Sequence, residues 1–304
     1  MNGILIIDKP EGITSFDVIR RIRPALGEKR VGHLGTLDPI ATGVLPLCVG
    51  EATKIAQFLA DRDKEYDAEV VLGEARDTQD RTGTVTATGD VGGVTQAAIE
   101  QALTTFVGEI AQIPPMHSAI SIGGERLYKR ARRGEVVERA PRQITIHAIR
   151  LLRWVSPRLF LHVHCSTGTY VRTLAQDLGE RLGCFVHLSA LRRTRVGPFR
   201  IESAIPLDRV LKQIEASGRT MLAQQLIDLS QALGELAELR LDPARERKAL
   251  KGQPLTESDL SELNAPVFAS GSHLRLTGAD HRLVAIGRAF PRGVRYLRVL
   301  NPSR

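Results

Sequence analysis

The stretch GHLGTLDPIATGVLP, residues 32–46, holds one acid, Asp38, and its only other ionisable side chain is His33. Gly32, Gly35 and Gly43 bracket the acid, and Pro39 and Pro46 stiffen the run. Glycine permits close backbone approach or positive φ, and a proline directly after an acid biases that acid toward an extended or turn conformation. The stretch therefore reads as a loop that displays a carboxylate. Taken alone, an Asp-Pro is more often a turn or a helix cap, so the surroundings have to decide between the two.

Outward from the loop, Ile4 to Ile7 is apolar and KPEG at 9–12 is a turn, with Lys9 and Pro10 on it. A helix then opens at Ser15 with Phe16, Ile19, Ile22 and Leu26 on one face. A short helix fits 52–59, and Tyr66, Ala68, Val70 and Leu72 alternate with Asp67, Glu69 and Val71 as a strand packed on one side. Thr95 can cap a helix through Phe106, with Ile99 and Leu103 aligned. Strands at 142–155 and 159–166 meet at Ser156-Pro157, and Thr169 caps a helix that carries Leu174, Leu178 and Leu182 and ends at Gly183. Strands outnumber long helices and some connections are hairpins, which argues for an α+β domain with a mixed, largely antiparallel sheet. Beyond Pro206 a helical stretch leads to short strands at 267–270, 273–277, 283–288 and 295–300. The expected division is a main domain over 1–236 and a small β-rich domain over 237–304.

The loop closely resembles the catalytic loop of the bacterial tRNA pseudouridine-55 synthase family, G-H-x-G-x-L-D-P-x-A-x-G-x-L. Further stretches match in the same order: KPEGITS at 9–15, KEYDAEVVLGEARDTQD at 64–80, IPPMHSA at 113–119, GERLYKRARRGEVVERAPR at 124–142, CSTGTYVRTLAQDLGERLG at 165–183 and HLSALRRTRVGPF at 187–199. The resemblance is close over 3–206 and looser beyond. It implies the pseudouridine synthase fold with a PUA-like RNA-binding domain at the C-terminal end, and isomerisation of the T-loop uridine, U55, of tRNA. In that reaction the N-glycosidic bond breaks, the uracil turns, and its C5 joins the same ribose carbon. A carboxylate is enough to begin it, and neither a metal nor an organic cofactor is chemically needed.

The resemblance makes Asp38 the catalytic nucleophile or base, acting on a flipped-out nucleotide. Arg172 matches an arginine that would keep Asp38 ionised in a partly desolvated pocket; the plainer reading pairs Arg172 with Asp177 or Glu180 on its own helix. Tyr66 matches a tyrosine held to stack on the uracil and to assist removal of the C5 proton. Tyr170 and Leu191 match positions that pack around the target base, Asp80 an acid near the RNA, and His33 a histidine under an unstacked base. Lys9, and Arg126, Lys129 and Arg132 in a basic insert over about 108–143, complete the expected RNA contacts. Four positions depart from the pattern: Leu34, Arg76, His117 and Ser121. None removes a catalytic group, but Arg76 adds a charge and Ser121 lacks one, which bears on RNA contacts near both.

Composition agrees with a polyanionic partner: 304 residues, 42% hydrophobic, a net charge of +8 and a pI near 9.7. Residues 123–142 hold seven Lys/Arg against three Glu, and residues 237–304 twelve against seven acids, so two basic surfaces are expected. No apolar run approaches membrane-spanning length, and the apolar start is too short for a signal peptide, so the cytoplasm is the expected location. Cys48, Cys165 and Cys184 are an odd count without CxxC spacing, which indicates neither a disulfide framework nor a zinc ribbon. A metal enzyme is the first rival reading: His162, His164 and Cys165 on one strand, with Cys184 and His187 downstream, but no acid beside the His-x-His. A purely RNA-binding protein would lack the acid at 38. The basic insert and short terminal domain favour a stand-alone monomer over the guide-RNA-dependent branch, with the T-arm of tRNA as partner and no membrane.

Overall fold

In the computed structural model, which describes residues 1–301, the apolar opening forms β1, Gly3–Lys9. Helix α1, Ser15–Leu26, follows, with Thr14 rather than Ser15 as its cap. The Thr14 hydroxyl accepts from the Asp17 amide and the Asp17 carboxylate accepts from the Thr14 amide, a capping box. Its buried stripe centres on the i, i+4, i+8 row of Val18, Ile22 and Leu26. Phe16 lies roughly 100° round the helix from that row and is 57% exposed, so it is not part of the face on which it was expected.

The main sheet is built from β1, β2 (Val31–His33), β3 (Ala41–Val49), β4 (Lys64–Leu72), β5 (Gly108–Gln112), β6 (Arg142–Val155), β7 (Arg158–Cys165) and β8 (Val186–Val196). Its order is 205–206, β1, β3, β8, β4, β7, β6, β5, with β2 on β3 and 199–200 on β8. Among the named strand pairs of this sheet only 205–206 on β1 and β8 on β3 are parallel, so the sheet is mixed and largely antiparallel. The hairpin between β6 and β7 turns at Ser156-Pro157, whose peptide is cis. Helix α2, Gln96–Thr104, is capped by Thr95 and buries Ile99 and Leu103. Helix α3, Val171–Leu182, ends at Gly183 in the left-handed region. Thr169 does not cap it; its hydroxyl donates to the Ser166 carbonyl, and Tyr170 holds the cap position without a side-chain bond. The helix expected at 52–59 is a 3-10 turn, Gly50–Lys54, followed by Ala56–Ala60.

Residues 4–7 of β1 are apolar without interruption because both faces of the strand are covered. Leu5 and Ile7 enter the core under α1 and α3, whereas Ile4 and Ile6 enter a second core on the reverse face. That second core also contains Leu283 and Ile286 from the terminal sheet and Leu300 just after its 293–299 strand. The terminal sheet has five strands in the order 237–240, 273–277, 283–290, 293–299, 255–256, with its own core around Leu239, Leu274 and Val294. Residues 267–270, expected as a strand, are not one, and Val267 is fully exposed; strands Ala237–Arg240 and Leu255–Thr256 supply the edges instead. Residues 302–304 of the expected terminal domain lie outside the described residues.

Candidate active site

A loop with little regular hydrogen bonding needs other partners for its carbonyls and amides. Around Asp38 those partners are buried side chains. Ser15, at the start of α1, accepts from the Leu37 amide at 2.8 Å and donates to the Leu37 carbonyl at 3.3 Å. Lys9 donates to the carbonyls of Pro10, Ile13 and Pro39, and the Gly12 amide also donates to Pro39. Arg193, on β8, donates to the carbonyls of Gly35, Thr36 and Val44. The glycines are required where this packing is tightest. At Gly43, with φ +98°, an added Cβ would stand 2.2 Å from the Arg193 carbonyl oxygen, and Gly35 has φ +81°. Gly32 has open space around it and ordinary φ.

So held, the loop presents Asp38 with its side chain 37% exposed while Arg172 is 4% exposed beneath it. Arg172 Nε lies 2.9 Å from Asp38 Oδ2 and 3.9 Å from Asp80 Oδ2. Its other nitrogens donate to the carbonyls of Thr78, at 3.0 Å, and His117, at 2.7 Å. Arg172 therefore faces the Asp38 loop, and Asp177 and Glu180 are not its partners. Asp80 is buried and accepts from the Thr82 amide and from the hydroxyls of Thr78 and Thr82, so it shapes the loop beside Arg172.

Tyr66 is 7% exposed and pairs in register with Val163 and Arg193. Burial pushes its phenol above the usual range, and the neighbouring charge of Arg193 opposes that shift. Leu191 stands on the same buried face of β8, opposite Ala41 and Ala68. Tyr170 is half-buried at the start of α3, and Gln112 holds its backbone through a pair of bonds at 2.8 and 3.1 Å. His33 is pushed below its ordinary pKa by burial and by Arg193 and Arg126, so its imidazole is neutral at pH 7; its Nδ1 has no partner among the described residues. Arg126 belongs to the small hairpin of Ser121–Ile122 and Glu125–Arg126. A carboxylate open to solvent, clamped from behind by a guanidinium and walled by two tyrosines and a leucine, is equipped for nucleophilic or base chemistry on a base brought to it.

Residues 23–171 match the N-terminal domain of TruB family pseudouridylate synthase, and residues 172–234 the tRNA pseudouridylate synthase B C-terminal domain. The tRNA pseudouridine synthase B of Xanthomonas campestris pv. campestris is 44% identical over 93% of this chain and 92% of its own length. That of Burkholderia mallei is 44% identical over 95% and 93%. The chain belongs to the TruB family. Among solved structures, an H/ACA RNP bound to a substrate RNA containing 2′-deoxyuridine has a chain with TM-score 0.75 and 25% identity, covering 99% of this chain and 85% of that one. A Cbf5-Nop10-Gar1 complex has one with TM-score 0.75 and 26% identity, covering 98% and 84%. The architecture is therefore that of the pseudouridine synthases.

In this TruB-family chain the expected RNA-contacting residues divide into two groups. Arg126, Lys129 and Arg132 are exposed and form no ion pair among the described residues. Their neighbour Arg133 is held by Glu125 and Glu135, and Arg130 lies beside the same two acids. Lys9, by contrast, is fully buried and engaged with three carbonyls, so it holds the loop rather than meeting solvent. Arg76 is likewise turned inward, pairing with Glu74 and donating to the carbonyls of Arg81 and Gly83.

Two site residues escaped the sequence reading, Arg193 and Lys64. Lys64 is buried and donates to the carbonyls of Arg62 and Ala60, and its Cε would lie 3.8 Å from a Cβ at Gly35. The signal was present as strand alternation: Lys64 falls on the face of Tyr66 and Ala68, and Arg193 on that of Leu191. A cation on an otherwise apolar face demands a partner. Burial lowers Lys9 and Lys64 alike to about 8.

The five residues of the metal reading do not converge. His162 pairs with Asp67 at 2.8 Å, His187 bonds the Glu74 carbonyl, and Cys165 is buried on the other face of β7. A cleft of about 610 Å³ between α3, β5 and Phe106, lined by Arg139, Asp177 and Arg181 among others, contains none of the expected site residues.

Proposed function

We propose that this chain converts uridine 55 in the T loop of tRNA to pseudouridine, with Asp38 as nucleophile or base on a flipped-out nucleotide. The observation that carries the reading is the 2.9 Å contact between buried Arg172 and open Asp38, in a chain 44% identical to enzymes named tRNA pseudouridine synthase B. Arg172 orients the carboxylate. Tyr66, Tyr170 and Leu191 form the wall against which the base packs, His33 supports the space it leaves, and Asp80 orders the loop that receives Arg172. Lys9, Lys64 and Arg193 act on the reaction through the backbone of the loop. Arg126, Lys129 and Arg132 grip phosphates of the T-arm, and residues 237–304, the PUA-like module, bind a more distant part of the tRNA.

The reading is of a cytoplasmic monomer that needs neither guide RNA nor cofactor. Its support is the identity to the stand-alone bacterial enzymes, well above that to the chains of the guide-RNA particles, and the exposed cations of the insert. No helix among the described residues is long and apolar enough to cross a membrane. The test is incubation with an unmodified tRNA transcript followed by mapping of pseudouridine. Modification at position 55 alone is expected, and Asp38→Asn should abolish it while binding tRNA within a few fold of the parent, because phosphate contacts supply most of the affinity. Turnover by Asp38→Asn, or modification elsewhere, would sink the assignment.

A further inference from the structure

The reverse face of the main sheet carries a cluster that this reaction does not use. Asp63, just before β4, His147 on β6 and His164 on β7 converge so that one ligand atom of each lies within 4.8 Å of the others. His147 Nε2 is 3.2 Å and His164 Nε2 3.9 Å from Asp63 Oδ2, and the two imidazole centroids are 4.6 Å apart. An irregularity in β6 produces this convergence. Ile146 stands opposite Cys165 and Ala148 opposite His164, which makes His147 the extra residue of a bulge. Bulges set two residues against one and re-aim a side chain. Asp63 is fixed in turn, its carbonyl accepting from the Gly197 amide at 2.9 Å.

We propose that Asp63, His147 and His164 bind a divalent transition-metal ion of the Zn²⁺ type at a site separate from the chemistry at Asp38. Two imidazoles and a carboxylate are a donor set that Zn²⁺ takes, and bonds of about 2.0–2.2 Å in a tetrahedron put ligand atoms roughly 3.3 Å apart. The Asp63–His147 distance already has that value, and the Asp63–His164 distance of 3.9 Å closes by a small side-chain rotation. All three side chains are partly exposed, which leaves an entry path and a fourth position for water. Arg195 opposes the ion: it donates to His164 Nε2 at 3.3 Å and must turn away, with Glu65, 3.3 Å from its Nε, to keep it. That competition makes the affinity moderate. The site cannot enter the reaction directly, because His164 pairs with Glu65 while Val163 pairs with Tyr66, so His164 and Tyr66 lie on opposite faces of the sheet.

The test uses the full chain, stripped with EDTA, without RNA, so that its outcome is independent of the isomerase reading. Zn²⁺ is titrated by calorimetry and Co²⁺ by visible absorption. The parent and His162→Ala should take up one equivalent, and His147→Ala, His164→Ala and Asp63→Asn should each weaken Zn²⁺ binding by roughly tenfold or more. Arg195→Gln removes the competing guanidinium and should tighten binding, which keeps the test decisive if a histidine variant fails to fold. Absence of saturable Zn²⁺ binding by the parent below about 100 μM would overturn the proposal. So would binding that survives in the His147→Ala/His164→Ala double variant, which would put the ion on other ligands.

Discussion

Replacing Arg172 with Met removes the 2.9 Å ion pair with Asp38, the longer one of 3.9 Å with Asp80, and the hydrogen bonds to the carbonyls of Thr78 and His117. The consequences for stability and for rate separate because they fall on different partners. Asp38 is 37% exposed and regains water when the guanidinium goes, so it adds little to the loss of stability. The two carbonyls lose a buried donor at about 1–3 kcal/mol each, or roughly 2–6 kcal/mol together. For a chain of this size that is a fall in Tm of roughly 4–12 °C. The rate loses one charge-assisted bond that orients the carboxylate, about 1.5–3 kcal/mol, hence roughly tenfold to a hundredfold in single turnover. Tm is read by calorimetry and the rate by rapid quench at saturating enzyme below the melting range. A variant that melts early but turns over at the parental rate would refute the functional pairing. One that slows without any change in Tm would refute the account of the carbonyls.

Tyr66→Phe keeps the ring and loses the hydroxyl, so tRNA binding should survive better than turnover; equal loss of both in filter binding and single-turnover assays would mark Tyr66 as structural. Lys9 gives a pH signature. Its folded pKa of about 8 lies below the ordinary 10.5, so the unfolded chain holds more protons between those values, and stability relative to Lys9→Met should rise with pH across that window, by up to about 1.4 kcal/mol per pH unit. Below pH 8 the burial cost of the charged ammonium is fully present, and denaturant titrations of both proteins showing a flat difference would remove the argument. Ending the chain near Leu236 should weaken tRNA binding and flatten its salt dependence. It should also lower Tm, because Leu283, Ile286 and Leu300 leave a core shared with Ile4 and Val44; an unchanged Tm would show that the terminal sheet is separable.

Much of this chain is legible locally. Period-2 alternation over Tyr66–Leu72, the capped helix from Thr95, the hairpin at Ser156-Pro157 and the helix stop at Gly183 all depend on residues close in sequence, and each stands in the structure where its pattern put it. The loop around Asp38 belongs to the same class, since its glycines and prolines state their backbone requirements directly. Where local signals compete, neighbours in space decide. Thr14 rather than Ser15 caps α1 because the Ser15 hydroxyl is taken by Leu37, twenty-two residues away. Partner choice is not legible in local pattern, and the expected pairing of Arg172 with Asp38 came from the family resemblance alone. Arg172 had acids within reach on its own helix, and only the packing of α3 against the loop gave it Asp38. Arg193 meets Gly43, and so the catalytic loop, because β8 runs parallel to β3, a pairing that no local pattern specifies. The acid missing beside His164 arrives from Asp63, a hundred positions earlier, across β4 and β7. Sequence periodicity determines which way a side chain points from its own element; which charge or carbonyl it meets there is set by sheet order, and sheet order is a property of the whole fold.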